Sequence, residues 1–313
     1  MSPWRPLGRL IPTALRSILP RFEHDSGAMG RLSTILGLSE DELRAFRLGP
    51  RYHYRPFTIP KPDGRNRRLL APSAALKRLQ RSLLDEYLGR LPVHPCATAF
   101  HPGASTVRHA LPHARGTRIA TVDLRDFFES TTAARVRRFF VSKGWRGESL
   151  GVLMRLCTYR GCLPQGAPTS PCLSNLVNER LDDRLRVLAR RSGGRYTRYG
   201  DDLAFSWVER PMPAGFQRSI EAALERSGYS IQPRKGWLVR EARGRPQVTG
   251  VVLAGDGRLH VPWRYRLRTA WLRWRGFWSR DPHVRAQWRG RQAYRRMVER
   301  GKAGPRRRPG RSS

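Results

Sequence analysis

"RYTRYGDDLAFSW" spans Arg195 to Trp207. It reads as a strand, a tight turn and a second strand, with Asp201 and Asp202 side by side at the turn among aromatic residues. Asp is common in solvated turns, so the pair alone decides nothing. Its setting does: the chain carries 61 Lys and Arg against 24 Asp and Glu, a formal net charge of +37. A place for adjacent carboxylates in so basic a chain needs a reason.

The reason starts at Asp123, which ends an apolar run, "TRIATVDL" (117–124), with the character of a buried strand. If that strand and the Arg195–Trp207 hairpin are neighbours in one antiparallel sheet, three carboxylates converge. Unpaired carboxylates repel, which raises their pKa and costs stability. Hard cations relieve the repulsion, and Mg²⁺ takes oxygen ligands and holds substrate phosphates as well. Two such ions about 4 Å apart activate an attacking oxygen and stabilise a leaving one. Asp123, Asp201 and Asp202 are therefore candidate catalytic and metal-ligating residues. Neighbours in a strand point to opposite faces, which sets Asp201 ahead of Asp202.

Composition agrees with a phosphate-handling role. The 313 residues and 39% hydrophobic content suffice for a sizeable core. Five of the 61 basic residues are Lys, so the excess is carried by Arg, whose planar fork suits phosphate and stacks on bases. A sequence pI near 11.7 points to a nucleic-acid partner. The four cysteines (96, 157, 162, 172) form no CxxC pair, which argues against zinc and for reduced thiols. No apolar run is long enough to cross a membrane. In the first 22 residues Arg9, Pro12 and Arg16 interrupt any signal-like core, leaving an amphipathic helix or loose arm and a cytoplasmic expectation.

Along the chain, residues 31–48 predict a helix, with Ser39 and Glu42 as a capping box. "RPFTIPKPDGRNRRLLAP" (55–72) predicts a hairpin about Asp63-Gly64. Helical spacing recurs over 73–91, 131–144, 147–161, 169–193 (one long helix) and 213–229. Residues 245–262 predict a hairpin turning at Gly255-Asp256-Gly257. A basic helical region with interleaved aromatics follows, then a tail, "KAGPRRRPGRSS", with the composition of disorder. Helices mixed with hairpins, without a βαβ series or a P-loop, predict an α+β fold.

Five blocks in order carry a resemblance: "IPKPDGRNRRLLAP", "DLRDFF", "LPQGAPTSPCLSN", "RYGDDLAFS" and "GYSIQPRK". Together they resemble the reverse transcriptases, and "RYGDD" resembles the acidic motif of their palm. "HALPH" (109–113) and "QVTGVV" (247–252) are similar to blocks of the retron type, covering with the rest about residues 31–270. His109 stands where retron members usually have Asn, and Gly200 where they usually have Ala. The resemblance implies a right-hand polymerase of fingers, palm and thumb with an antiparallel palm sheet. It implies an N-terminal helical extension (1–50), interleaved fingers and palm (51–250), and a basic thumb with a tail (251–313). It also implies two Mg²⁺ ions, dNTPs, a structured non-coding RNA as template and primer, and a branched RNA–DNA product. An effector protein encoded nearby, a host RNase H and a part in phage defence complete the picture. A group II intron-like or diversity-generating reverse transcriptase remains open, as does a catalytically idle RNA-binding protein.

Residue roles follow from the same resemblance. Lys61 and Arg67 would grip the triphosphate, with Arg65 and Arg68 as alternatives in the same run. Phe128 would fill the volume a 2′-hydroxyl needs, or simply pack in the core. Gln165 and Gly166 would lie beside the incoming nucleotide, and Lys235 would protonate pyrophosphate. Ser170 and Asn175 are plausible polar liners, although Ser170 could equally cap the following helix. His113 would touch RNA or serve a structural hydrogen bond. Arg198 would face nucleic acid beside Tyr199. In "WLRWRGFW" (271–278) Trp271, Trp274 and Trp278 fall on one helical face. Those rings would pack on the thumb core or stack on bases, while Arg268, Arg273 and Arg275 grip phosphates.

Overall fold

A computed structural model describes residues 26–48, 54–60, 64, 66–208, 211–278 and 281–301. The expected N-terminal arm, Lys61, Asp63, Arg65 and the C-terminal tail lie outside the described residues. The fold is α+β, with helices around antiparallel sheets.

The central sheet has four strands: β3 (Arg118–Asp123), β4 (Gly194–Tyr199), β5 (Asp202–Trp207) and β6 (Trp237–Glu241). Their order is β4-β5-β3-β6, all antiparallel. β3 therefore lies between the acidic hairpin and a strand that the sequence reading did not pick out. Alternation gives the sheet two different faces. Ala120, Val122, Leu203 and Phe205 pack on α8 (Glu179–Arg191) and α9 (Phe216–Glu225), through Leu181, Leu185, Phe216 and Ile220. On the other face Ile119 and Ala204 pack on the three-stranded meander β7 (Gln247–Val248), β8 (Val251–Leu253) and β9 (Leu259–His260). That cover sits toward the Arg118 end of β3, away from the end where Asp123 and Asp202 pair.

A second core joins α1 (Ser26–Leu36), α2 (Glu40–Leu48), α3 (Ala74–Glu86), α5 (Ala133–Ser142), α6 (Gly147–Cys157) and α7 (Thr169–Val177). The short α4 (Thr106–Ala110) leads into the 3-10 turn that holds His113. Before α3 stands the hairpin of β1 (Tyr54–Pro60) and β2 (Asn66–Pro72), paired from Tyr54↔Pro72 to Pro60↔Asn66. Last come α10 (Trp263–Trp278) and α11 (Pro282–Arg300), joined by the Tyr265–Tyr294 ring contact and the Arg266–Glu299 ion pair.

Three expected elements divide. The 31–48 helix breaks at Gly37, whose φ of +64° ends α1 with a bond from Leu38 N to Ser33 O. The capping box restarts the chain as α2: Ser39 N donates to Glu42 Oε2 and Glu42 N to Ser39 Oγ. The 169–193 helix breaks at Asn178, whose side chain is pinned to Ser174 O and Tyr229 Oη. The 245–262 hairpin contains a second turn at Thr249-Gly250, with φ of 45° and 76°, the two-residue type I′ form. Among the described residues no helix is long and apolar enough to cross a membrane.

Candidate active site

Asp123 ends β3 and Asp202 begins β5, and the two are direct cross-strand partners. Directly opposed residues share a face, so Asp202 stands beside Asp123, near enough for each carboxyl to bear on the other's charge. Alternation sets Asp201 ahead of Asp202; in the register Asp202 directly opposes Asp123, and Asp201 stands on the turn beside it, where the Asp123 charge also reaches it. Asp201 occupies the turn before β5, and its carbonyl accepts from Leu124 N at 3.0 Å. Gly200 makes that turn with φ +66°, and a Cβ there would meet the Phe100 ring at 3.2 Å.

Lys235 closes the cluster. The loop after Ile231 runs beside Asp123, whose carbonyl accepts from Gln232 N. A tight turn at 232–236 then aims the Lys235 ammonium at Asp123 Oδ2, 2.5 Å away. That bond holds the Lys235 pKa above its usual value. Burial, then the neighbouring Asp201 and Asp123, push Asp202 up to about 7. Asp201 is raised too, first by desolvation and then by Asp123. Its side chain is surface-accessible at the sheet end, but protein on either side thins the water around it.

These groups fit hard divalent cations. The donors are carboxylate oxygens alone, and two of them carry charge that the protein leaves under-compensated. Among the described residues no three side chains form a ready-made metal cage. The cluster is open, as suits Mg²⁺ shared between a few carboxylates and substrate phosphates.

Other expected residues gather nearby or do not. Arg67 is exposed on β2, close enough for its charge to favour ionised Asp201, an effect weaker than burial and the Asp123 charge, which oppose it. Phe128 packs between two cores and lies 6.2 Å from Phe100, centroid to centroid. Gln165 is half-buried, and its carbonyl accepts from Leu70 N. Gly166 has φ +124°, and a Cβ would come within 2.6 Å of Leu70 O. The backbone that approaches this glycine is therefore the β1–β2 hairpin. Ser170 bonds back to Pro164 O, and Asn175 donates to Ala99 O.

The nucleic-acid contact expected of Arg198 is corrected, and of the two roles open to His113 the structure holds the structural one. Arg198 is fully buried and makes a bidentate ion pair with Asp182, also fully buried (2.9 and 2.6 Å). It also donates to Asn175 Oδ1 and Gly200 O, so it braces the acidic turn from behind. His113 is buried between Ser206 Oγ and Thr197 Oγ1, both at 2.7 Å. Burial first, then Arg195, push its pKa down to about 3, so the ring is neutral and serves packing. Thr197 Oγ1 also meets His109 Nδ1 at 2.8 Å. Arg268, Arg273 and Arg275, by contrast, are exposed on α10. Trp271, Trp274 and Trp278 are exposed there too, the last two at 65% and 72%. Packing on a thumb core does not account for them.

Sequence reasoning missed Phe100, Asp182 and Tyr229. Phe100 has φ 61° and lies over Gly200. Asp182 had a signal: it falls in register with Leu185 and Ala189 on the apolar stripe of α8, where a lone carboxylate announces a buried partner.

Residues 59–252 match the family of reverse transcriptases (RNA-dependent DNA polymerases). Retron Mx162 reverse transcriptase of Myxococcus xanthus is 37% identical over 259 residues, 72% of this chain and 53% of that protein. Retron Mx65 reverse transcriptase of the same organism is 36% identical over 260 residues, 76% of this chain and 60% of that protein. Retron Ec86 reverse transcriptase of Escherichia coli is 33% identical over 227 residues, 72% of this chain and 71% of that protein. The chain thus spans between half and three-fifths of the two Myxococcus relatives. It belongs to the reverse transcriptase family, among the retron-type members.

Proposed function

We propose that this chain is an RNA-directed DNA polymerase of retron type, working by two-metal nucleotidyl transfer. The observation that carries this is the Asp123–Asp202 cross-strand pair, with Asp201 on the adjoining turn and Lys235 against Asp123. Two Mg²⁺ ions held by Asp123, Asp201 and Asp202 would activate the primer hydroxyl and stabilise charge on the leaving group. Arg67, with Lys61 on the same hairpin, grips the triphosphate and offsets charge growing on pyrophosphate. Phe128 lies under the sugar and excludes a 2′-hydroxyl, selecting deoxynucleotides. Gln165 and Gly166 line the nucleotide. Lys235 stays protonated beside Asp123 and supplies a proton to pyrophosphate.

Residues 51–250 form the fingers and palm in this reading, and 251–313 the thumb and tail, after an extension at 1–50. The exposed face of α10 holds RNA, with Arg268, Arg273 and Arg275 on phosphates and the Trp rings against unpaired bases. The template is a structured non-coding RNA, primed internally to give a branched RNA–DNA product, in the cytoplasm. Copied RNA is removed by a host RNase H, and the product serves phage defence with an effector encoded nearby.

The test is dNTP incorporation on primed RNA with Mg²⁺, comparing the wild type with the Asp201→Asn, Asp202→Asn double variant. Metal-dependent synthesis that the double variant loses supports the reading. A wild type without synthesis on any primed RNA sinks it. Sequencing nucleic acid that copurifies tests the retron assignment: a short branched hybrid supports it, and excised intron RNA refutes it.

A further inference from the structure

A cleft of about 580 Å³ opens between α5, the α7–α8 junction and the end of α9. It lies on the helix-covered side of the central sheet, whereas Asp123 and Asp202 lie on the opposite face. Arg135, Arg138, Lys143, Arg180, Arg184 and Arg226 line it, against a single carboxylate, Glu179. None of the six cations is ion-paired among the described residues, although other arginines are, such as Arg44, Arg186 and Arg295. Arg180 and Arg184 stand one turn apart on α8, where like charges repel.

Arg135 is already aimed. Its Nη2 donates to Asn178 Oδ1 at 2.6 Å, and its guanidinium lies 4.6 Å from the centre of the Tyr229 ring. Its Nη1 is buried and without a partner. A buried donor left unpaired is costly, and an anionic oxygen in the cleft would satisfy it. The only aromatic lining residue, Phe139, is buried, so nothing there offers a stacking platform for bases. The chemistry fits a run of phosphates and nothing base-specific. Six cations, drawn from α5, α8 and the residues that end α5 and α9, exceed what one phosphate group can use.

We infer that this cleft is a second RNA site, binding the sugar-phosphate backbone of a double-stranded RNA stem while a primed template occupies the catalytic face. The inference rests on the RNA-dependent reading above. It would anchor a folded part of the RNA on the back of the sheet as another part is copied.

The test uses the whole chain, saturated with an unlabelled primed RNA template and titrated with a fluorescent 20-base-pair RNA hairpin. One variant is Arg138→Gln, Arg180→Gln, Arg184→Gln. The control is Lys77→Gln, Arg78→Gln, Arg81→Gln on the exposed side of α3, with the same loss of charge. The expected result is a second binding equivalent that the cleft variant weakens about tenfold or more, with a salt slope smaller by roughly 2–3. The control changes affinity less than twofold. Absence of a second equivalent, equal weakening by both variants, or displacement of the hairpin by charge-matched polyglutamate overturns the site. Incorporation at saturating template is read in parallel. A cleft variant that synthesises normally but no longer holds the hairpin supports the site. A wild type that holds the hairpin without synthesising removes the polymerase reading and leaves the cleft standing.

Discussion

The carboxylate end of the central sheet and the outer face of α10 are built by opposite rules. At the sheet end, groups far apart in sequence meet through strand pairing: Asp123 with Asp202, and Lys235 with Asp123 across 112 positions. Charge is crowded there, and the protein's own contacts leave Asp202 at about 7. On α10 everything is local: one helical period sets out Trp271, Trp274 and Trp278, with arginines between them, in open solvent. The first region depends on the entire fold, and the second needs only a helix. Substitutions should therefore divide, those at the sheet end acting on chemistry and stability, those on α10 acting on binding.

The largest expected effect is on chemistry. Asp201→Asn should lower single-turnover dNTP incorporation by several kcal/mol in barrier, roughly a thousandfold. Trp271→Ala should leave that rate within a few-fold at saturating RNA. Comparable losses in both would erase the contrast. Next comes the brace behind the acidic turn. Arg198→Ala leaves Asp182 buried without its cation, with only the Tyr196 hydroxyl still donating to it, for a loss of about 3–5 kcal/mol in urea unfolding. A loss under about 1 kcal/mol would mean that the turn does not rely on it.

Smaller effects sharpen the division. Trp271→Ala or Trp274→Ala should weaken single-stranded RNA binding by about 1–3 kcal/mol each. Stability should change by less than about 0.5 kcal/mol, because the rings are exposed. The smallest effect concerns pH. The Asp202 carboxyl rises from 3.8 to about 7, so its stabilising contribution is full below pH 3.8 and lost as pH climbs through about 7. Asp202→Asn should raise the Tm of metal-free protein by a few degrees at pH 8 and leave it unchanged at pH 3.5. Mg²⁺ should raise the wild-type Tm at pH 8 and hardly at pH 5. His113 works in the other direction: its neutral burial stabilises above pH 6.5, and the contribution falls away as pH drops toward about 3.

What the sequence disclosed follows the same line between local and distant. The capping box at Ser39, the β1–β2 pairing and the α10 face all depend on near neighbours, and all were legible. The carboxylate site was legible because Asp123 and the hairpin each carried a strand pattern that could be joined. Arg198 was misread because charge type does not state direction, and of the two readings open for His113 the structure holds the hydrogen-bonded one. In β4 the side chain of Arg198 turns inward to Asp182, a partner that only tertiary packing supplies. β6 was passed over because its residues, Trp237 to Glu241, are largely exposed and show no clear alternation. Asn178 and Gly37 broke helices that propensity alone would have continued.

The position of β3 in the middle of its sheet has a temporal consequence. It leaves the ribosome well before β5, and β6 follows later still. Long-range pairing of this kind is slow and demands that the intervening chain be in place. A nascent or partly folded chain therefore carries its positive charge while its carboxylates are still apart. A chain ending before Trp237 would keep Asp123, Asp201, Asp202 and Lys235 but leave the second edge of β3 unpaired, so the strand that carries Asp123 would lose one of the two neighbours that hold it.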